Sequence, residues 1–178
     1  MMDLLGVRLL VTGAPPEEMD KSFRPEDFPL VARTKEAFVY ENPRALPRVM
    51  LVGGWRQADF KAIAKTGWPD VDPKQTVLLE TPPRSVVSGG GTAKLASYRN
   101  TEVIVETDAS VSSLLLLNDV WHPWWQACID SNPIEILKAN VLFRAVEVPA
   151  GKHSVRFSFH PFAGLRSWLG LGVSAPRC

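Results

Sequence analysis

The sequence predicts an all-β fold: an antiparallel β-sandwich, immunoglobulin-like or jelly-roll-like, with one short helix near residues 57–65. Three observations carry this. Short apolar or alternating runs recur about every 8–12 residues with turn signals between them, the spacing of sandwich strands. Ser154–His160 alternates strictly, with Val155, Phe157 and Phe159 inward and Ser154, Arg156, Ser158 and His160 outward. The chain holds 15 Pro and 12 Gly in 178 residues, which favours many short elements joined by turns.

Leu4–Thr12 reads as a strand that ends at Gly13-Ala14-Pro15-Pro16, and the charged, proline-containing stretch 13–27 as a loop. Phe28–Arg33 and Ala37–Glu41 read as strands around a Thr34-Lys35-Glu36 turn. Asn42-Pro43 opens a turn, because a residue before proline avoids the helical region. Arg48–Val52 is a short strand closed by Gly53-Gly54. Gln57–Lys65 is the helix: Phe60, Ile63 and Ala64 share a face, Gly67 terminates it and Pro69 follows. Thr76–Glu80 is a strand, and the Ser88-Gly89-Gly90-Gly91 stretch reads as a flexible loop, since it lacks the Lys and helix of a P-loop. Strands are then expected at Ala93–Tyr98, Glu102–Thr107, Ser112–Leu117, Trp125–Ile129, Pro133–Leu137, Leu142–Val148 and Ser154–His160. The continuous apolar run Ser112–Leu117 fits a strand covered on both faces. The chain is read as one domain over 1–178, with 92–161 the core sandwich. The 84–91 loop is either a sub-boundary or a long hairpin connection.

A chain of this length buries roughly 70% of its unfolded surface and needs no metal or disulfide to hold a core. The net charge of +1, with no basic block, gives no indication of a nucleic-acid footprint, and no nucleic-acid partner is expected. Asp3 before the first apolar run and Arg8 within it exclude a signal peptide. No uninterrupted apolar stretch is long enough to span a bilayer; the tail Phe162–Val173 carries Arg166. Cys128 and Cys178 are too few for a disulfide scaffold or a Cys-based zinc cluster. The terminal position of Cys178 argues against a bridge, so a free Cys128 packed against the sheet is expected.

One block is specific. Phe143–Phe159 reads FRAVEVPAGKHSVRFSF, preceded by LLLLND, by HPWW (His122–Trp125), by CID (Cys128–Asp130) and by ILKAN (Ile136–Asn140). With VYENPRALPRVMLV (Val39–Val52) and DPKQTVLLE (Asp72–Glu80), this order resembles the C-terminal extracytoplasmic domain of YfhO-like bacterial membrane proteins, which are related to the GT-C type of glycosyltransferases. The resemblance covers most of the chain. It departs from the family pattern at Trp124, where the family turn has Gly, and at Ser131, where Gly follows the Asp. It implies a β-sandwich on the periplasmic face, part of a membrane protein that handles cell-envelope glycan or lipid-linked sugar, with any catalysis in the membrane portion. A solitary gene product without an export signal would instead be cytoplasmic.

The candidate ligand-binding residues are Trp121, His122, Trp124, Trp125, Asp119, Asp130 and Arg144. An indole offers a flat apolar face to a sugar ring, and nearby Asp groups can hydrogen-bond hydroxyls. The plainer reading is that these indoles cap the open end of the sandwich. If both lie in one strand, Trp124 and Trp125 point opposite ways, and Trp124 is the better candidate for exposure. Asp119 and Asp130 would serve a glycosidase if about 5–9.5 Å apart, but Asp near turns commonly bonds its own backbone. Arg144 is expected to face outward and pair with Glu147 or Glu135, unless it meets an anionic ligand. Asn42 and Arg48 are expected to fix a turn. His122, His153 and His160 lack a metal-ligand spacing, so no metal or other cofactor is expected. The leading expectation is a non-catalytic recognition or scaffolding domain; a stand-alone carbohydrate-binding module and a small glycan hydrolase are the alternatives. The expected partners are a glycan, the membrane portion of a parent protein, or a second copy through exposed edge strands.

Overall fold

The computed structural model describes residues 2–21, 23–161 and 178. Strands hold 45% of the chain and helices 9%, so the protein is mainly β. The chain divides into two compact units, Met1–Pro47 and Arg48–Cys178; the Gly-rich loop lies inside the second.

The first unit contains β1 (Leu9–Thr12), α1 (Pro16–Met19), a single 3₁₀ turn (Pro25–Asp27), β2 (Leu30–Arg33) and β3 (Phe38–Glu41). They form an antiparallel sheet in the order β1-β3-β2. The predicted first strand is therefore shorter: Met2–Gly6 is turn, with Gly6 at φ +67°. Phe23 stacks on Phe28 at 4.7 Å and meets Tyr40 edge-on at 6.3 Å. Asn42 fixes the following turn as expected: its amide donates to Asp3 and to the Val7 carbonyl, and its Oδ1 accepts the Arg44 N–H.

The second unit begins with β4 (Val49–Val52), β5 (Gly54–Gln57), α2 (Phe60–Thr66) and β6 (Thr76–Leu79). It continues with β7 (Gly91–Arg99), β8 (Glu102–Ala109), β9 (Ser113–Leu117), β10 (Trp125–Ile129) and β11 (Asn132–Ile134). β12 (Leu137–Ala139), β13 (Phe143–Val148) and β14 (Gly151–Phe159) complete it. One sheet runs β11-β10-β14-β8-β7 and the other β4-β9-β13-β12-β6-β5. Their facing sides make one core: Val103 and Val105 of β8, Ala127 and Ile129 of β10, and Val155 and Phe157 of β14 meet Leu115 and Leu117 of β9 and Val146 and Val148 of β13. Leu114–Leu117 are fully buried on both faces, as their unbroken apolar run predicts.

Four departures from the predicted elements have local causes. Gly54–Gln57 is a strand, paired parallel to β6, so the second sheet is mixed. Its register holds Gln57 opposite Leu79, and the helix starts only after Asp59, whose Oδ1 caps the N–H groups of Lys61 and Ala62. Pro133–Leu137 is two strands: β11 pairs with β10 in one sheet, and the chain crosses at Glu135-Ile136 so that β12 pairs in the other. The Gly-rich stretch is packed rather than loose. A Cβ on Gly53 would lie 2.3 Å from the Gly89 carbonyl oxygen, and one on Gly89 would lie 2.0 Å from Val111 Cγ2. The expected free thiol is absent: Cys128 is disulfide-bonded to Cys178, with their Cα atoms 5.7 Å apart. Cys128 sits on β10 opposite Arg156, on the outer side of its sheet, where the chain terminus can reach it.

Among the described residues no helix is long and apolar enough to cross a membrane. The apolar tail Phe162–Val173 lies outside the described residues.

Candidate functional site

Strand register brings most candidate residues to one end of the sandwich. Leu117, at the end of β9, lies opposite both Val49 and Arg144, at the starts of β4 and β13. Trp125, at the start of β10, lies opposite Phe159, at the end of β14. Arg99 and Glu102 close the β7–β8 hairpin at the same end.

Asp119 is the centre of a polar cluster here. Arg144 Nη2 donates to its Oδ2 at 3.0 Å and Arg48 Nη1 to its Oδ1 at 3.0 Å. The Tyr98 hydroxyl lies 3.1 Å from both carboxylate oxygens. Arg48 also donates to the Asn118 carbonyl at 3.1 Å and lies 5.5 Å from the Tyr98 ring. The expected turn-fixing Arg48 is thus an Asp119 ligand. With the carboxylate taken up by two guanidinium groups and a phenol, Asp119 is poorly placed to abstract a proton.

Arg144 corrects an expectation. It shares a face with Val146 and Val148, so it points into the core; it is 1% exposed. Its guanidinium lies 3.8 Å from the Trp125 ring and 5.5 Å from that of Phe157, a stacking geometry arginine favours. Its Nε and Nη1 have no hydrogen-bond partner. Burial lowers its pKa from the ordinary arginine value, opposed by Asp119, and the group stays charged. Glu147 and Glu135, its expected partners, bind elsewhere: Glu147 accepts the backbone N–H groups of Arg84 and Ser85, and Glu135 pairs with Arg84. Burial, and then Asp119, raises the Tyr98 pKa.

The aromatic part adjoins this cluster. His122 meets Trp124 edge-on at 4.8 Å and Phe159 at 5.6 Å. Trp124 and Trp125 lie 5.9 and 5.2 Å from Phe159. Both indoles reach one ring because Trp124 is in a turn, closed by a Trp125 N–H to His122 carbonyl bond of 3.1 Å, and not in the strand. The expected opposition of the two therefore does not arise. Trp125 is held between Arg144 and Phe159, whereas His122 is exposed and Trp124 half-buried. Trp121 stands apart, its ring under Lys138 Nζ at 4.4 Å and its backbone N–H donating to the Leu142 carbonyl at 2.7 Å.

Asp130 does not join them. It lies beyond the other end of β10, about 16 Å along a five-residue strand, too far from Asp119 for a glycosidase pair. It accepts from the Ser154 N–H at 2.9 Å and bonds His153 Nδ1 at 2.5 Å, while His153 Nε2 meets the Ala150 carbonyl at 3.2 Å. The His153 bond, aided by the Ser154 N–H, lowers the Asp130 pKa; the Asp130 bond raises that of His153. Both ring nitrogens face acceptors, which suits an imidazolium. An open cleft of about 610 Å³ lies at this end, lined by Ile129, Asp130, Asn132, Glu147, Pro149 and His153 among others. Asp130-Ser131 forms the β10–β11 turn at φ +47° and +71°, the left-handed conformation that a two-residue hairpin turn requires. Among the described residues no three His, Cys, Asp or Glu side chains gather as a metal site.

Reasoning from sequence missed Tyr98 and Phe159 as members of the site. Phe159 was legible as an inward residue at the end of an alternating strand. Tyr98 carried no signal, because only the β7–β8 register brings it to this end. No protein-family model matches the chain, and neither the curated proteins nor the solved structures contain a match.

Proposed function

We propose that this chain is a non-catalytic recognition domain that holds a glycan, or the head of a lipid-linked sugar, at the aromatic end of its sandwich. The observation that carries the reading is the accessible His122–Trp124–Phe159 cluster beside the Asp119-centred polar cluster, an apolar face with a few placed hydrogen-bonding groups. Asp119 is committed to Arg48, Arg144 and Tyr98, and Asp130 lies at the far end, so these two do not form a hydrolytic pair. The Cys128–Cys178 bridge fits an oxidising, extracytoplasmic compartment. The Phe143–Phe159 resemblance to YfhO-like proteins supports a place in the cell envelope, with chemistry left to a membrane portion.

The test is titration of intrinsic tryptophan fluorescence with a panel of envelope glycans. A saturable shift that disappears in Trp124→Ala supports the reading. A flat response to every glycan, or a shift that survives in Trp124→Ala, removes it.

A further inference from the structure

The same end of the sandwich carries an apolar rim that adjoins the proposed glycan site and shares Tyr98 with its polar cluster. Val120 is 65% exposed, Tyr98 51% and Leu142 47%. They come from three connections: the tip of β7, the β9–β10 loop and the β12–β13 turn. The Trp121 N–H bond to the Leu142 carbonyl ties two of these connections together, and Asp119, next to Val120, ties in the third through Tyr98.

Two features show that this exposure is built in. No Asp, Glu, Lys or Arg occurs from Val120 to Ile129, although the segment includes an exposed loop. The β12–β13 turn holds Asn140 at φ +48° and Val141 at φ +72°. A β-branched residue in the left-handed region is an outlier that costs free energy, and the exposed Leu142 directly follows it.

The charges around the rim are complementary to an anionic surface. Arg48 and Arg99 are exposed and Lys138 is partly so. Arg48 and Arg144 pair with Asp119, Lys138 with Glu80, and Arg156 lies 4.0 Å from Glu102, so cations outnumber acids here, and among the described residues Arg99 pairs with no acid. Indole and phenol side chains, flanked by aliphatic residues and exposed cations, are the composition that settles at a membrane–water interface.

We infer that the end of the sandwich formed by Tyr98, Val120, Trp121 and Leu142 seats on the surface of a bilayer containing anionic lipid. Val120 and Leu142 enter the headgroup region, Arg99 meets lipid phosphate, and the paired Arg48 and Lys138 add to the positive field of this end. This does not rest on the glycan reading, because a sugar-free bilayer suffices.

The experiment is co-sedimentation of the full chain with vesicles of phosphatidylcholine and phosphatidylglycerol that contain no glycolipid, with tryptophan emission recorded in parallel. Binding with a blue shift, weakened by added salt and reduced at least about tenfold in Val120→Asp/Leu142→Asp, is expected. Val86→Asp, at an 85% exposed position outside the rim, should bind as the parent does. Both rim positions are exposed, so the variant is expected to fold; circular dichroism and an unchanged urea midpoint check this. Absence of binding at low salt, or equal loss in the Val86 and rim variants, overturns the proposal. So does self-association in gel filtration that the rim variant abolishes while vesicle binding is absent, since the rim would then serve a second copy. Glycan binding without vesicle binding would sink this inference alone; vesicle binding without glycan binding would sink only the glycan reading.

Discussion

Replacing Asp119 with Ala should destabilise the protein far more than replacing its buried partner Arg144 with Met. Arg144 is almost wholly buried, with one nitrogen on Asp119 and two without partners. Removing Asp119 leaves that charge uncompensated, a loss of about 3–5 kcal/mol. It also ends the exposed Arg48 pair, which adds only about 0.2–1 kcal/mol. Methionine at 144 retains apolar contact with Trp125 and Phe157 and removes two unsatisfied buried donors, each of which costs about 1–3 kcal/mol. Asp119 then still has Arg48 and Tyr98, and it is partly exposed. The Met variant should therefore lie within about 1 kcal/mol of the parent, in either direction. In urea unfolding, with m near 2 kcal/mol/M, Asp119→Ala should lower the midpoint by roughly 2 M and Arg144→Met by under about 0.5 M. The double variant should resemble Arg144→Met. If Arg144→Met costs as much as Asp119→Ala, Arg144 contributes mainly as a charge and the burial reasoning fails.

Three further outcomes follow from the fold. Reduction of Cys128–Cys178, which closes a separation of 50 residues, should lower stability by about 4 kcal/mol on loop-closure entropy; an unchanged urea midpoint with and without reductant would contradict it. Val141→Gly should stabilise by about 1 kcal/mol, since the native φ of +72° suits glycine, and destabilisation would show that valine packing outweighs the strain. By NMR, His153 should titrate above its ordinary 6.5, falling toward 6.5 in Asp130→Asn. A raised imidazole pKa stabilises fully below 6.5 and is lost as pH rises through the folded value, whereas the lowered Asp130 pKa stabilises above 3.8 and is lost as pH falls through its folded value. The contribution of the pair should accordingly peak between those ranges, and a His153 pKa at or below 6.5 would remove it.

The elements most legible in the sequence were those with an unambiguous period. Ser154–His160, Trp125–Ile129 and Ser112–Leu117 lie where expected because alternation or an unbroken apolar run determines burial directly. Gly54–Gln57 was not legible: its parallel pairing to β6 depends on residues 22 positions away, and Gly53-Gly54 reads as the close of the preceding strand. The crossing at Glu135-Ile136 has no local signature, because a change of sheet is a tertiary event. At the site, the aromatic cluster was readable from composition, but the orientation of Arg144 was not. A charged residue in an alternating strand is normally outward, and only the β9–β13 register, together with Asp119 and Trp125 at the end of the sandwich, makes its burial tolerable. The Cys128–Cys178 bridge was equally hidden, since no spacing rule brings a chain terminus back to a strand.

The most direct test of recognition at the aromatic end is an NMR titration with whichever envelope glycan shifts the fluorescence, following the indole N–H signals of the six tryptophans. The Trp124 indole should move saturably, with the His122 ring signals, while those of Trp68 and of His153 at the far cleft stay fixed. Movement confined to His153 and its neighbours around Asp130 would put the ligand in the cleft at the other end and contradict the proposed function.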